Sequence, residues 1–402
     1  MPGETLIIGA GHAGDAAAAL LRQYGYVGAI TLMGEEAWVP YHRPPLSKAW
    51  LKGEQDAAAL ALRGADFYER QNISLRLNTR ATAIDRAHRR VVLAGGEVLP
   101  YAHLILATGA RARVLDVPGV ALGHVHTLRT RADADALRPC LAPGRRLVLI
   151  GGGYIGLEIA ASARALGADV TVIEREPRLL ARVASAPLAD FFRRLHESQG
   201  VRFHLGAGIA AIHADHVALS DGKAVPADCV VVGVGARPNT ELAWKAGLEC
   251  DSGIVVDAAS RTADPAVFAV GDCAFRPIPR YGGHLRLESV PNALEQARQA
   301  AAAITGRAAP APETPWFWSD QFSVRLQIAG LLLDVRETIQ RGDVHGEKFA
   351  LFHLDAEGAV QAVEAVNAAE EFLAGRIMIA RRRIPSRTAL ADPTVPMKTI
   401  IA

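Results

Sequence analysis

Four short runs of apolar residues come in two pairs: Thr5-Leu-Ile-Ile8 with Ala29 to Met33, and Leu147-Val-Leu-Ile150 with Asp169 to Ile173. Each run is strand-sized rather than helix-sized, which predicts strands. Between the members of each pair lies a helical stretch, alanine-rich through Ala16 to Leu21 in the first and running from Ile155 to Leu166 in the second. Two further buried strands end in polar turns, Leu104-Ile-Leu-Ala-Thr108-Gly109 and Val267-Phe-Ala-Val-Gly271-Asp272. Beyond residue 315 the pattern changes. Alternating segments around Val324 to Ile328 and from Lys348 to Leu354, a turn at Asp355 to Gly358, a strand from Ala359 to Val366 and a helix from Ala368 to about Ala380 predict an antiparallel sheet with helical cover.

A glycine-rich turn joins strand to helix in both pairs: Gly9-Ala10-Gly11-His12-Ala13-Gly14 and Gly151-Gly152-Gly153-Tyr154-Ile155-Gly156. Such a turn alone is weak. Here each copy follows a strand, opens a helix and is followed a little over twenty residues later by an acid, Glu35 or Glu36 in the first and Glu174 in the second. The first glycine permits the tight turn, the second admits a pyrophosphate to the backbone, and the third lets helix and strand pack closely. Unpaired N–H groups at the helix start attract anionic oxygens, and the acid accepts hydrogen bonds from a ribose. One chain is expected to hold two dinucleotides.

The 402 residues, 50% hydrophobic and 21% charged, describe a globular chain of two or three domains. Lys and Arg number 44 against 42 Asp and Glu, which argues against wholesale nucleic-acid binding. The longest apolar runs are strand-sized, and the first runs into a glycine turn rather than a cleavage site, so neither membrane insertion nor export is expected and the location is read as cytoplasmic. Cys140, Cys229, Cys250 and Cys273 show no CxxC or CxxxxC spacing. No redox dithiol, iron–sulfur set or other metal site is therefore expected, the cysteines are read as buried small residues, and electrons must leave for an acceptor outside the chain.

The order GxGxxG, ATG, GxGxxGxE and VGD resembles the flavoproteins of the glutathione-reductase fold. That resemblance implies an α/β chain of two Rossmann-like dinucleotide-binding domains, one for FAD and one for NAD, with a C-terminal α+β domain. The boundaries are drawn at 1–110 with 240–314 for FAD, 111–239 for NAD and 315–402 for the last domain, Pro118-Gly119 and Pro238-Asn239 marking the crossings. Three segments narrow the likeness: Tyr41-His-Arg43-Pro-Pro-Leu-Ser-Lys48, Glu288 to Arg298, and Pro315-Trp-Phe-Trp-Ser-Asp-Gln321. They resemble the NADH-dependent ferredoxin reductases of the putidaredoxin-reductase type, which serve cytochrome P450 and ring-hydroxylating dioxygenase systems.

Carried over, the resemblance implies that FAD meets Gly9, Gly11, Ala13 and Gly14 through its pyrophosphate and Glu35 through its ribose, with Glu36 as a substitute because this chain has Gly34-Glu35-Glu36 where relatives have Gly-Asp. Arg43 and Lys48 approach the flavin, Ala81 the adenine side, and Thr108, Gly109 and Arg129 the cofactor; Asp272 meets its ribityl or pyrophosphate region, and Val290 and Trp316 lie along the isoalloxazine. NAD is expected at Gly151, Gly153, Tyr154, Ile155, Gly156, Glu174, Arg182 and Gly235. Glu174 argues for NADH, since a carboxylate repels a 2′-phosphate, whereas Arg175 or Arg182 could neutralise one.

Glu158, two residues beyond Gly156, has two readings: a solvated carboxylate favoured by the helix dipole, or a group that contacts the nicotinamide carboxamide and pairs with Lys48 near the flavin. The resemblance implies the second, with Lys48 and Glu158 as the catalytic pair. Trp316 and Trp318, in a strand-like segment, are expected to face opposite sides, so that only one lies against the flavin. Arg376, Arg381, Arg382, Arg383 and Arg387 form either a solvated face at a helix C-terminus or a docking patch for an acidic [2Fe–2S] ferredoxin. The expected reaction is hydride transfer from NADH to FAD, then single electrons to that ferredoxin; a rubredoxin reductase, an NADH oxidase and an NADH-sensing flavoprotein similar to apoptosis-inducing factor are the other readings. Oligomeric state is left open.

Overall fold

The computed structural model describes residues 3–401. The chain forms two compact units: the first takes in the chain up to His42, Ala57–Arg111 and Ala236–Glu313, the second Arg43–Asp56, Ala112–Gly235 and the chain from Thr314 onward. Among the described residues no helix is long and apolar enough to cross a membrane.

The first unit is built on a five-stranded parallel sheet ordered Val267–Ala269, His103–Leu106, Thr5–Ile8, Ile30–Met33, Ile73–Arg76. The three central strands carry almost unbroken buried runs because the sheet is covered on both faces. One face carries the helices His12–Gln23 and Val290–Ile304, whose alanines Ala13, Ala16, Ala17, Ala293, Ala297, Ala300 and Ala301 share a core with Ile7, Leu32 and Ile105. Small side chains let two helices sit close together on one sheet. The first helix starts at His12, earlier than its alanine run suggests, because Gly11 is its extended N-cap and the glycine turn supplies its first residues. A three-stranded antiparallel sheet, Ala81–Asp85, Arg90–Leu93 and Val98–Pro100, completes this unit's second core.

In the second unit a second parallel sheet is ordered Arg202–Leu205, Asp169–Glu174, Arg146–Ile150, Cys229–Val232, Val125–His126. Helix Tyr154–Ala165 follows its central strand and is buried from Gly156 to Ala163. The C-terminal sheet is antiparallel, ordered Trp316–Gln321, Val324–Gly330, Val360–Val366, Phe349–Leu354, Glu337–Gly342, and helix Ala369–Ala380 packs on one face. Every residue of Val360–Val366 and Phe349–Leu354 is buried. The expected antiparallel sheet with helical cover is present, with one strand more. Glu337–Gly342 hides its alternation because an inward position is Arg341, buried against Glu371 at 3.2 Å and donating to the Asp392 and Val395 carbonyls.

One expectation is overturned. Trp316 and Trp318 stand two residues apart on one strand and therefore share a face, with ring centroids 5.7 Å apart. Phe372 at 5.6 Å and the Arg376 guanidinium at 5.3 Å pack on the Trp316 ring, so Arg376 belongs to this aromatic cluster rather than to an open basic face.

Helix Ala186–Ser198 and strand Trp316–Gln321 are joined by a fully buried hydrogen bond, His196 Nε2 to Gln321 Oε1 at 2.8 Å. Burial pushes the His196 imidazole down from 6.5 to about 4. The unfolded chain takes up a proton near 6.5 while the folded chain holds off until about 4, so acidification through that window removes stability and above it the contribution is constant. The urea midpoint should fall between pH 7 and pH 5 by a larger amount in the native chain than in His196→Gln; equal falls would remove His196 as the cause.

Candidate functional site

In the first unit the glycine turn is built by close approach of backbone to backbone. Gly9 adopts φ +115°, and a Cβ there would lie 2.0 Å from the Ala107 carbonyl oxygen; at Gly14 it would lie 1.9 Å from the Gly9 oxygen. Only glycine fits either position. Gly11 caps the helix without a side-chain bond, leaving the first N–H groups to a ligand, and Ala13 is buried beneath the turn. Gly34 approaches the same turn so closely that a Cβ would meet Ala10 Cβ at 2.7 Å, which sets the next residue, Glu35, beside it. The Glu35 carboxylate is 67% exposed with Arg80 at 3.6 Å, whereas Glu36 is taken by the Tyr41 hydroxyl at 2.5 Å. Glu35 is thus the acid left open to a ribose.

The two polar turns stand at the carboxyl ends of parallel strands, where open α/β sheets bind ligands. Gly271 adopts φ +81° against Ala13, a Cβ there lying 3.0 Å from Ala13 Cβ, so Asp272 follows directly from the glycine turn's own packing. Gln296 holds that turn by accepting from Gly271 N at 2.5 Å. Two residues of the Glu288 to Arg298 segment secure the same helix: Ser289 caps it through Asn292 N, and Glu295 forms a buried ion pair with Arg276 at 2.7 Å. Val290 is the first residue of that helix. Thr108 and Asn239 exchange hydrogen bonds of 2.7 and 2.8 Å, fixing the turn in which Gly109 takes φ +63°. Ala81 opens the strand Ala81–Asp85 and is half-buried.

The second unit repeats the cradle. At Gly151, φ +110°, a Cβ would lie 2.5 Å from the Gly233 oxygen, and at Gly156 2.5 Å from the Gly151 oxygen, while nothing lies within 4 Å of one on Gly153. Gly153 is again an N-cap without a side-chain bond, and Ile155 in the first turn is 47% exposed. Glu174 binds the turn itself, accepting from Gly152 N at 2.6 Å and Glu176 N at 2.8 Å. Arg175 points away, 83% exposed and paired with Glu176, whereas the Arg182 guanidinium lies 3.8 Å from the Cβ position of Gly235. The Tyr154 hydroxyl reaches the Val183 carbonyl at 3.4 Å, its ring is 4.9 Å from Phe317, and burial raises its pKa well above the usual phenol value.

Glu158 is not solvated. Its side chain is 7% exposed, its Oε2 lies 2.7 Å from Lys48 Nζ and accepts from Ser47 Oγ at 2.5 Å, and its Oε1 accepts from Ser319 Oγ at 2.7 Å. Gln321 donates to Ser319 Oγ at 3.0 Å and links this carboxylate to His196. Ser162 donates to the Ser47 carbonyl at 2.7 Å. Two segments far apart in sequence thus converge on one buried carboxylate, and an ammonium with two hydroxyls offsets the cost of burying it. Arg43 and Arg129 also meet, the guanidinium donating to the Arg129 carbonyl at 2.7 Å. Arg129 N and Thr130 N both donate to Asp133, whose capping box with Thr130 fixes the next helix.

Ser47, Ser319, Gln321, Gln296 and Asn239 were not singled out from the sequence. The first four sit inside the three segments that carried the narrower resemblance, so those motifs were the available signal. The cysteines show no paired spacing in sequence, yet the fold brings Cys140, Cys229 and His126 together, their ligating atoms within 4.8 Å of one another. Spacing cannot reveal a pair whose members lie on a turn and a strand nearly ninety positions apart.

Residues 3–297 match the model of the family described as pyridine nucleotide-disulphide oxidoreductase, and residues 316–401 match the model described as reductase C-terminal. The chain is 48% identical to the "Probable ferredoxin reductase CtmF" of Castellaniella defragrans, over 99% of this chain and 98% of that one. It is 43% identical to the anthranilate 1,2-dioxygenase system ferredoxin–NAD(+) reductase component of Burkholderia cepacia, over 98% of each. Among solved structures, the covalent putidaredoxin reductase–putidaredoxin complex superposes with a TM-score of 0.97 at 40% identity, over 99% of this chain and 98% of that one. With two backbone-built cradles and a match along nearly its whole length, the chain belongs to the pyridine nucleotide-disulphide oxidoreductase family, the FAD- and NAD(H)-using oxidoreductases, and carries the reductase C-terminal domain.

Proposed function

We propose that this chain is an FAD-dependent NADH:ferredoxin reductase. The observation that carries the reading is the pair of complete dinucleotide cradles in a chain that aligns with ferredoxin reductases over at least 98% of its length. FAD belongs to residues 1–110 and 240–314, NADH to 111–239, and 315–402 forms the reductase C-terminal domain. FAD held there would supply the chemistry that couples a two-electron hydride donor to a one-electron [2Fe–2S] acceptor. The ferredoxin would feed a cytochrome P450 or a ring-hydroxylating dioxygenase. A need for NADH supports a cytoplasmic setting.

The chain's own contribution is positional and electrostatic. Gly9, Gly11, Ala13 and Gly14 present backbone to the FAD pyrophosphate and Glu35 takes the ribose, while Arg43, Ala81, Thr108, Gly109, Arg129, Asp272, Val290 and Trp316 complete that set. Gly151, Gly153, Tyr154, Ile155, Gly156, Arg182 and Gly235 serve NADH. Glu174 sets the preference over NADPH: its carboxylate is fixed by Gly152 N and Glu176 N, and a 2′-phosphate would meet its charge. Lys48 supplies a fixed cation that favours the charge the flavin gains, and Glu158 orients it through the 2.7 Å pair. Glu158 takes the nicotinamide carboxamide as its further partner.

Anaerobic NADH added to the FAD-loaded chain should bleach the flavin, and a [2Fe–2S] ferredoxin added next should be reduced in turn. A rubredoxin reduced in its place would move the assignment to that acceptor, and bleaching without transfer to either would favour a sensor. Lys48→Met should slow the stopped-flow bleaching rate tenfold or more, about 1.4 kcal/mol. FAD content and melting temperature serve as controls, since Glu158 loses a partner; an unchanged rate removes Lys48 from the mechanism.

The docking surface is proposed on the end of helix Ala369–Ala380. Leu373 and Ile377, one turn apart, and Ile384 are 55%, 37% and 62% exposed, and Arg381, Arg382 and Arg383 beside them are exposed too. An apolar patch rimmed by one sign of charge is the composition of a protein contact site. Arg387 pairs with Glu337 at 2.8 Å, and Arg382 lies 3.7 Å from Asp355, so the field is moderated rather than neutralised. Reversing Arg382 and Arg383 to Glu should raise the ferredoxin Michaelis constant at low salt, with the difference shrinking as salt rises; a flat response places docking elsewhere.

A further inference from the structure

We propose that His126, Cys140 and Cys229, none of which has a role above, form a zinc site in the second unit. The three ligating atoms lie within 4.8 Å of one another, and Cys140 Sγ is 3.6 Å from His126 Nε2. With Zn–S near 2.3 Å and Zn–N near 2.0–2.1 Å, two ligands of a tetrahedral ion are separated by about 3.6 Å, so that edge already has its bound length. Two thiolates and an imidazole are a soft and borderline donor set suited to zinc rather than to magnesium or calcium.

The fold assembles this set rigidly. Val125–His126 is the edge strand of the parallel sheet and pairs with Cys229–Val232, His126 standing opposite Val231. Cys229, two residues before Val231, points to the same face, and the turn Arg138–Leu141 brings Cys140 over it. His124, in the turn before this strand, extends the same ladder, its carbonyl accepting from Val230 N at 2.9 Å.

Burial lowers the His126 imidazole and raises the Cys229 thiol, so a metal there would have to displace the thiol proton. Zinc binding releases the two thiol protons to solvent as the Zn–S bonds form, with no change of oxidation state. Bound there, the ion ties the edge strand and the turn after helix Arg131–Leu137 to the sheet, a structural role that fixes the segment carrying Arg129.

The test uses the FAD-loaded full chain, reduced, stripped with chelator and titrated with cobalt(II) as a spectroscopic stand-in for zinc. One equivalent should give thiolate-to-cobalt charge-transfer bands in the difference spectrum and d–d bands to the red of the flavin. Zinc should displace them and raise the melting temperature. Cys140→Ser and His126→Gln, both at partly exposed positions, should each lose the bands while FAD content is unchanged. Bands absent from the native chain, or intact in Cys140→Ser, overturn the proposal. So does a Cys140–Cys229 disulfide that forms with diamide at the same rate with and without saturating zinc, since the oxidant then finds both thiols unligated.

Discussion

A single buried carboxylate organises the second unit. Glu158 sits on the helix that follows the glycine turn, and its partners come from Ser47 and Lys48 on one side and from Ser319 on the strand Trp316–Gln321 on the other. An ion of this kind costs several kcal/mol to desolvate, and removing one partner of such a pair typically costs about 3–5 kcal/mol. The carboxylate therefore acts as a registration point. The segment Arg43–Asp56, which in sequence lies amid the first unit, is grouped with the second one, and the Glu158 cluster together with Ser162 to the Ser47 carbonyl, Arg43 to Arg129 and Trp50 to Asp135 accounts for that.

Polar satisfaction recurs where the C-terminal sheet meets the nucleotide-binding part of the same unit. Glu364 is fully buried on the face opposite helix Ala369–Ala380 and accepts from Ser185 N at 2.9 Å, Ser185 Oγ at 2.5 Å and His353 at 3.0 Å. Ser185 caps helix Ala186–Ser198 and closes the loop that carries Arg182. Two carboxylates, Glu158 and Glu364, thus fix the C-terminal strands to helices Tyr154–Ala165 and Ala186–Ser198. Hydrophobic packing alone would tolerate sliding between these layers, whereas a buried acceptor with three donors has one register.

Much of the architecture was legible because it rests on local rules. Short apolar runs marked the strands, and glycine turns between strand and helix marked backbone approaches that a Cβ would block at about 2 Å, as at Gly9 and Gly14. The strand Glu337–Gly342 was missed because buried Arg341 breaks the apolar alternation that signals a strand. The tryptophans were misassigned by counting two residues as a change of face, when a strand's period returns position 318 to the face of 316. Of the site, the glycine cradles and the Lys48–Glu158 pair could be anticipated. The serines, glutamines and asparagine that hold them could not, since a hydroxyl or amide reports its role only when its partner is known.

The thiol cluster leaves no local signal in the sequence either. Metal and redox motifs are recognised from sequence when two ligands share one turn, because short spacing leaves few geometries. Here Cys140 comes from a 3₁₀ turn, His126 from an edge strand and Cys229 from its neighbour, so the parallel ladder rather than the chain sets their separation. An edge strand is the weakest position in a sheet, being paired on one side only. Val125–His126 is two residues long and leads directly into Arg129 and the capping box at Thr130. A tie at that edge acts where the sheet's own hydrogen bonds contribute least, and it would steady the carbonyl that receives Arg43.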